Sequence, residues 1–212
     1  NDVEYSFDLK LAPLKHYRDR LVVAKNYSLR YSDSADNVIK NLTFEINQGE
    51  RVFVNGKNGC GKSSLIKAIL SKNSGSQLNI VEDGILETAS NLTISYINQD
   101  TSHLKGSLRD FAFEHHLDYS LFLAFLAHLN FSATQFDKGI EEFSEGQKKK
   151  VLLASSLMTP AHLYIWDEPL NYIDVFSRMQ IEKLIEDFKP TMLIVEHDSR
   201  FREKLATRII EL

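Results

Sequence analysis

Val3, Tyr5, Phe7, Leu9 and Leu11 alternate with polar residues, and that period predicts a half-buried strand closed by Pro13. A second strand is expected from Leu21 to Tyr31, and a third from Leu42 to Ile46, where Leu42, Phe44 and Ile46 alternate again. Asn47, Gln48 and Gly49 read as a turn before a short buried strand, Arg51 to Asn55. The period then becomes helical: over Ser63 to Leu70, the residues Leu65, Ile66, Ile69 and Leu70 share one side. Asn79 to Ile97 reads as further short strands around Asp83-Gly84, and the leucine- and aromatic-rich stretch 103–142 as a small helical lobe. From Phe143 onward a helix to Met158, a strand at Leu163 to Trp166, a helix around Arg178 to Phe188 and a strand at Met192 to Val195 follow one another. Such alternation predicts an α/β fold with a mainly parallel sheet covered by helices.

Chemistry enters where strand gives way to helix. Gly56 to Ser63, GKNGCGKS, fits G-x-x-x-x-G-K-[ST], the P-loop. Glycines let the backbone curl until its N–H groups face phosphate oxygens, and the helix that begins there adds about +0.5 charge at its N-terminus. Asn58, Gly59, Cys60, Gly61, Lys62, Ser63 and Ser64 are thus the expected phosphate-binding residues, with Lys62 reaching the β- and γ-phosphates and Ser63 giving its hydroxyl to Mg²⁺. Cys60 reads as a small residue that fits the loop, without chemistry of its own.

The apolar run Leu163 to Trp166 ends in Asp167-Glu168, and a P-loop enzyme places its metal-holding acid at the end of such a strand. Asp167 is expected to hold Mg²⁺ and Glu168 to orient the attacking water. Phe143-Ser144-Glu145-Gly146-Gln147 opens the next helix upstream. Ser144 and Gln147 form an S-x-x-Q capping box, which satisfies a helix's first N–H groups and equally offers a hydroxyl and a helix N-terminus to an anion.

The order GKNGCGKS, Gln99, FSEGQ, WDE, Asp174, His197 resembles the nucleotide-binding domain of ABC ATPases over nearly the whole chain. That resemblance implies a P-loop core with an antiparallel β lobe and a small helical lobe, in one domain. It also implies that Ser144, Gly146 and Gln147 contact a nucleotide held by the P-loop of a second ABC domain. Gln99 matches the Q-loop residue that senses Mg²⁺ and water, Asp174 the D-loop aspartate, His197 the switch histidine on the γ-phosphate, and Tyr31 the aromatic stacked on adenine. Glu145 stands where the family pattern LSGGQ has glycine, which puts an acid where phosphate would approach. EPLNYID and EHDSRF are similar to the EPTNHLD and SHDRYF patterns of the ABC-F branch, and FSEGQKKKVLLASSL looks most like its Vga/Lsa-type resistance proteins. The resemblance implies a cytoplasmic tandem ATPase using Mg²⁺ and ATP, with the ribosome as partner and no membrane insertion. The helical lobe is short for the arm of a first ABC-F domain, so the second, C-terminal domain is expected. The alternative is the nucleotide-binding subunit of a membrane transporter, and a third reading is a nucleotide-gated switch that barely hydrolyses ATP.

Composition narrows this further. With 212 residues, 43% hydrophobic and 25% charged, the chain fits one globular domain. Its richest apolar stretch, Leu121 to Leu129, is too short to span a bilayer. The N-terminus lacks a basic leader and an apolar core, and a start at Asn1 rather than Met points to a piece of a longer protein. One cysteine excludes an internal disulfide and suits a reducing compartment. A net charge of −4 gives no broad nucleic-acid footprint. Lys148, Lys149 and Lys150 spread around a helix and read as a solvated face. The remaining histidines, His16, His103, His115, His116, His128 and His162, lack metal-ligand spacing.

A cation about 4 Å from a phosphate oxygen is worth roughly 4 kcal/mol at an effective dielectric near 20. Lys62→Ala should therefore cripple nucleotide binding, seen as the loss of saturable fluorescent-ATP binding in a titration.

Overall fold

A computed structural model describes residues 9–212. The strand expected from Val3 to Leu11 lies mostly outside the described residues, and Leu9 to Leu11 are not in a strand. Two sheets organise the rest. Strands β1 (Arg20–Tyr31), β2 (Ile39–Asn47) and β4 (Ile80–Thr88) form an antiparallel sheet in the order β2-β1-β4. Strands β3 (Arg51–Asn55), β5 (Ile94–Ile97), β6 (Leu163–Asp167), β7 (Met192–Val195) and β8 (Arg208–Glu211) form a parallel sheet in the order β5-β6-β7-β3-β8. Six α-helices accompany them among the described residues: α1 (Lys62–Ser74), α2 (Leu108–Glu114), α3 (Tyr119–His128), α4 (Glu145–Met158), α5 (Val175–Phe188) and α6 (Ser199–Leu205).

The parallel strands are short and apolar because both faces are covered. Successive side chains point to opposite faces. Phe53, Tyr164, Trp166, Met192 and Ile194 enter one core with the residues of α2 to α6, among them Phe122, Leu126, Val151, Leu157 and Ile185. Val52, Val54, Leu163, Ile165, Leu193 and Val195 enter the other, between α1 and the antiparallel sheet. Each single-residue step along β3, β6 or β7 thus changes core. A one-residue slip in register would exchange the two sets of side chains.

The Asp83-Gly84 pair does not separate two strands, as its sequence suggested; it lies inside the nine-residue β4. Opposite it, β1 carries an irregularity between Lys25 and Ser28, with Asn26 at φ 47°. A Cβ on Gly84 would lie 2.1 Å from the Asn26 carbonyl oxygen, so glycine is needed where the bulged strand crowds its neighbour. Two C-terminal elements escaped the sequence pattern. α6 and β8 are only seven and four residues long, too short for a period to declare itself. Asp198 caps α6 through the Phe201 N–H, and β8 pairs with β3 at the sheet edge.

A buried polar chain joins α4 to the sheet under the acidic strand end. The Trp166 indole N–H donates to Ser156 Oγ at 2.9 Å, and Ser156 Oγ lies 2.7 Å from Ser95 Oγ. Both serines and the indole are buried. Ser156→Ala would leave the indole N–H and the Ser95 hydroxyl without their partner, at about 1–3 kcal/mol. Urea unfolding of Ser156→Ala should show that loss, with an unchanged m-value.

Candidate nucleotide site

The loop after β3 wraps a cavity of about 400 Å³ walled by Asn58, Gly59, Gly61, Lys62, Ser63 and Ser64, with Val38, Gln99 and Glu168 opposite. Its shape depends on glycine at two points. Gly61 precedes α1 at φ 99°, and a Cβ there would lie 2.9 Å from the Val38 carbonyl oxygen. At Gly56 a Cβ would meet Cys60 Sγ at 2.5 Å, so the cysteine thiol is folded over the loop's first glycine rather than onto the cavity wall. No side chain caps α1, which leaves its first N–H groups facing the cavity for an anion. The Lys62 ammonium is held inside the loop, donating to the Gly56 carbonyl at 2.7 Å. Tyr31 does not wall the cavity, but its hydroxyl lies 2.8 Å from Ser64 Oγ, tying the end of β1 to the first turn of α1.

The acids arrive from β6. Asp167 is buried, and its Oδ1 accepts from Gln99 Nε2 at 2.9 Å. Burial raises its pKa and the Glu168 charge adds to this, against the lowering effects of Gln99, Lys149 and Lys62. Glu168 lies at φ 49°, a left-handed conformation costing on the order of 1–3 kcal/mol for such a residue. The turn is held: the Glu168 N–H donates to Val195 O at 2.7 Å and Asn171 Nδ2 donates to Glu168 Oε2 at 3.1 Å. His197 completes the group, its Nε2 being 3.5 Å from Glu168 Oε1 and 3.4 Å from Lys62 Nζ. Lys62, Ser63, Gln99 and Glu168, spread over much of the sequence, therefore line one opening, and Asp167 and His197 are held directly behind them by these contacts.

The family model described as ABC transporter matches residues 39–171, more than half of the chain. This chain belongs to the ABC family. Its relatives place it in the ABC-F type. It is 32% identical over 200 residues to the ATP-binding protein Uup of Buchnera aphidicola, covering 91% of this chain and 32% of that protein. It is 28% identical to ABC transporter F family member 2 of Arabidopsis thaliana, over 91% of this chain and 28% of the relative. With the ribosome protection protein VmlR of Bacillus subtilis it shares 30% identity, over 79% of this chain and 30% of the relative. The chain thus spans about a third of the length of these relatives. The fold matches a solved ATP-binding subunit of an ABC transporter with a TM-score of 0.68 at 22% identity, covering 91% of this chain and 85% of the other. A putative metal-chelate type ABC transporter matches with a TM-score of 0.69 at 20% identity, over 91% and 80%. ABC ATP-binding domains of the ABC-F type are ATPases.

The remaining ABC motif residues lie apart from the cavity. Ser144 caps α4 in a complete capping box with Gln147. Gly146 packs so closely on the D-loop that a Cβ would lie 2.5 Å from the Tyr172 carbonyl oxygen. Neither these residues nor Asp174 line the cavity of their own chain. Glu145 is not a loose acid beside them. Its Oε2 accepts from Thr101 Oγ1 at 2.6 Å and its Oε1 lies 3.6 Å from Lys148 Nζ, contacts that hold its pKa below the usual carboxylate range.

The lysine triplet contradicts the expectation of a solvated face. Lys149 and Lys150 are 2% and 7% exposed, because α4 is covered by the acidic loops after β6. Lys149 Nζ donates to the Glu168 carbonyl at 3.3 Å, and Lys150 Nζ pairs with Asp174 Oδ2 at 2.7 Å. Glu196 was also missed. This buried carboxylate accepts from the Leu170 N–H at 3.1 Å and from the His197 and Asp198 N–H groups at 2.9 and 3.2 Å, bracing the loop after β6 against the loop that carries His197. A lone acid before a histidine carries no signal in sequence; only the fold assembles three donors around it.

Burial pushes the Asp174 pKa up, but the Lys150 ammonium with the N–H and hydroxyl of Ser177 outweighs it and brings it down to about 2. A carboxylate with a depressed folded-state pKa stabilises the fold above its unfolded value, 3.8, and loses that contribution as pH falls toward 2. The melting temperature of Asp174→Asn should lie below that of the unaltered protein at pH 5, and the gap should narrow between pH 4 and pH 2.

Proposed function

We propose that this chain is a single ABC-type ATP-binding domain, the second of a tandem ABC-F protein, which hydrolyses ATP with Mg²⁺ and acts on the ribosome. The observation that carries the hydrolytic part is the placement of Lys62, Gln99 and Glu168 on one cavity wall, with Asp167 bonded to Gln99 and His197 against both Lys62 and Glu168. In this reading the α1 N–H groups and Lys62 bind the β- and γ-phosphates, with Asn58, Gly59, Cys60, Gly61 and Ser64 shaping the loop. Tyr31, anchored on Ser64, stacks on the base. Magnesium suits the oxygen donors here: the Ser63 hydroxyl, the Asp167 carboxylate and the Gln99 amide oxygen, whose nitrogen is already turned to Asp167. Bound there, the ion would neutralise charge on the β- and γ-phosphates.

Glu168 is the proposed base. Asn171 and His197 fix its carboxylate, so it offers one orientation to a water in line with the γ-phosphate. His197, within reach of both Glu168 and Lys62, would contact the γ-phosphate. Ser144, Gly146 and Gln147, turned away from this cavity, contact the nucleotide of a second ABC domain, and Asp174 lies between the two sites. A partner domain is therefore part of the machine.

The ribosome enters through the likeness to the Bacillus subtilis protein named for ribosome protection, and antibiotic resistance is the narrower form of that reading. A cytoplasmic location follows from it. No helix among the described residues is long and apolar enough to cross a membrane. The transporter-subunit alternative draws only on likeness of fold, at 20–22% identity.

Glu168→Gln should retain ATP binding and lose hydrolysis by at least about a hundredfold, the low end for a positioned base. In ATP, the full-length variant should co-sediment with ribosomes. If it stays off ribosomes and instead recovers a membrane protein partner, the ribosomal reading fails.

A further inference from the structure

No step above uses Lys149, although it is among the most enclosed charged side chains described, 2% exposed. It does not wall the phosphate cavity. It faces a neighbouring space of about 430 Å³ shared with Gln99, Thr101, Glu145 and Asn171. An ammonium so far from water persists only where opposite charge and hydrogen bonds replace its hydration. Burial draws its pKa down, and Asp167, Glu168, Glu196 and Glu145, the carboxylates around it, oppose that shift. Its hydrogen bond goes to a backbone oxygen instead of any of these carboxylates, namely the Glu168 carbonyl at 3.3 Å.

That carbonyl belongs to the one non-glycine site residue whose backbone is in the left-handed region, at φ 49°. The peptide unit before Glu168 is fixed by its N–H bond to Val195 O at 2.7 Å. The unit after it has Lys149. Between the two clamps, the direction in which the Glu168 side chain leaves the backbone is determined, and Asn171 and His197 then need only trim the carboxylate. α4 supplies Lys149 two residues beyond Gln147 of its capping box, so the clamp also joins the base to the helix that faces the second domain in that reading.

Resting on the role given to Glu168 above, we propose that Lys149 is a positioning residue for hydrolysis: its ammonium fixes the Glu168 carbonyl and thereby aims the carboxylate at the attacking water. It touches neither nucleotide nor water itself. Small displacements of a base cost rate steeply, up to about a hundredfold for 1 Å, while leaving ground-state binding largely untouched.

Lys149→Met, of similar length and without charge, tests this in the native full-length protein. Its kcat should fall at least about tenfold, with KM and fluorescent-ATP affinity within about twofold of the unaltered protein. In a Glu168→Gln background the same change should cost nothing more, because both act through one carboxylate; single-turnover hydrolysis of radiolabelled ATP reads those slow rates. A Lys149→Met protein with unaltered kcat overturns the inference, as does a loss that multiplies that of Glu168→Gln. If Lys149→Met does not bind nucleotide, Lys149→Gln takes its place under the same two criteria. A Glu168→Gln protein that hydrolyses normally would instead sink the role given to Glu168, a result distinct from either outcome at Lys149.

Discussion

Parallel pairing of β3, β6 and β7 is the constraint on which the site depends. Val54 lies beside Val195, and Asp167 beside Val195 on the other flank, so three strands end together at one edge. The chain leaves β3 as the phosphate loop, β6 as Asp167-Glu168 and β7 as Glu196-His197. Ligands of open α/β sheets bind beyond the carboxyl ends of the strands for this reason. Register here is enforced by burial on both faces: a slip would carry Trp166 and Ile165 into each other's cores.

Most of this architecture was legible because the signals are local. The P-loop declares itself in eight residues, and β6 and β7 are apolar runs that lead into the polar pairs Asp167-Glu168 and Glu196-His197. What stayed illegible is what depends on a neighbour far along the chain. Gly84 looks like a turn residue until Asn26 is placed opposite it. Three consecutive lysines look solvated until the loop after β6 is laid over α4, which buries Lys149 and Lys150 and leaves Lys148 with Glu145. Glu196 gathers its donors from two loops. α6 and β8 were lost for a different reason, since each is too short to show a period.

The acid in the family's glycine position reads differently once its contacts are known. Glu145 is one residue past the α4 cap, where a negative charge suits the helix dipole, and Thr101 takes one of its oxygens. Thr101 lies two residues after Gln99, which itself holds Asp167. The first turn of α4 and the carboxylate behind the phosphate cavity are thus linked through one short loop. A movement of α4 would be felt at Gln99.

Trp166 is the chain's single tryptophan, fully enclosed and bonded covalently to Asp167. Its indole N–H rests on Ser156 of α4. The chain consequently carries one native indole at the junction of sheet, helix and acidic strand end. Its emission needs no attached dye, and there is no second indole in the chain to obscure it.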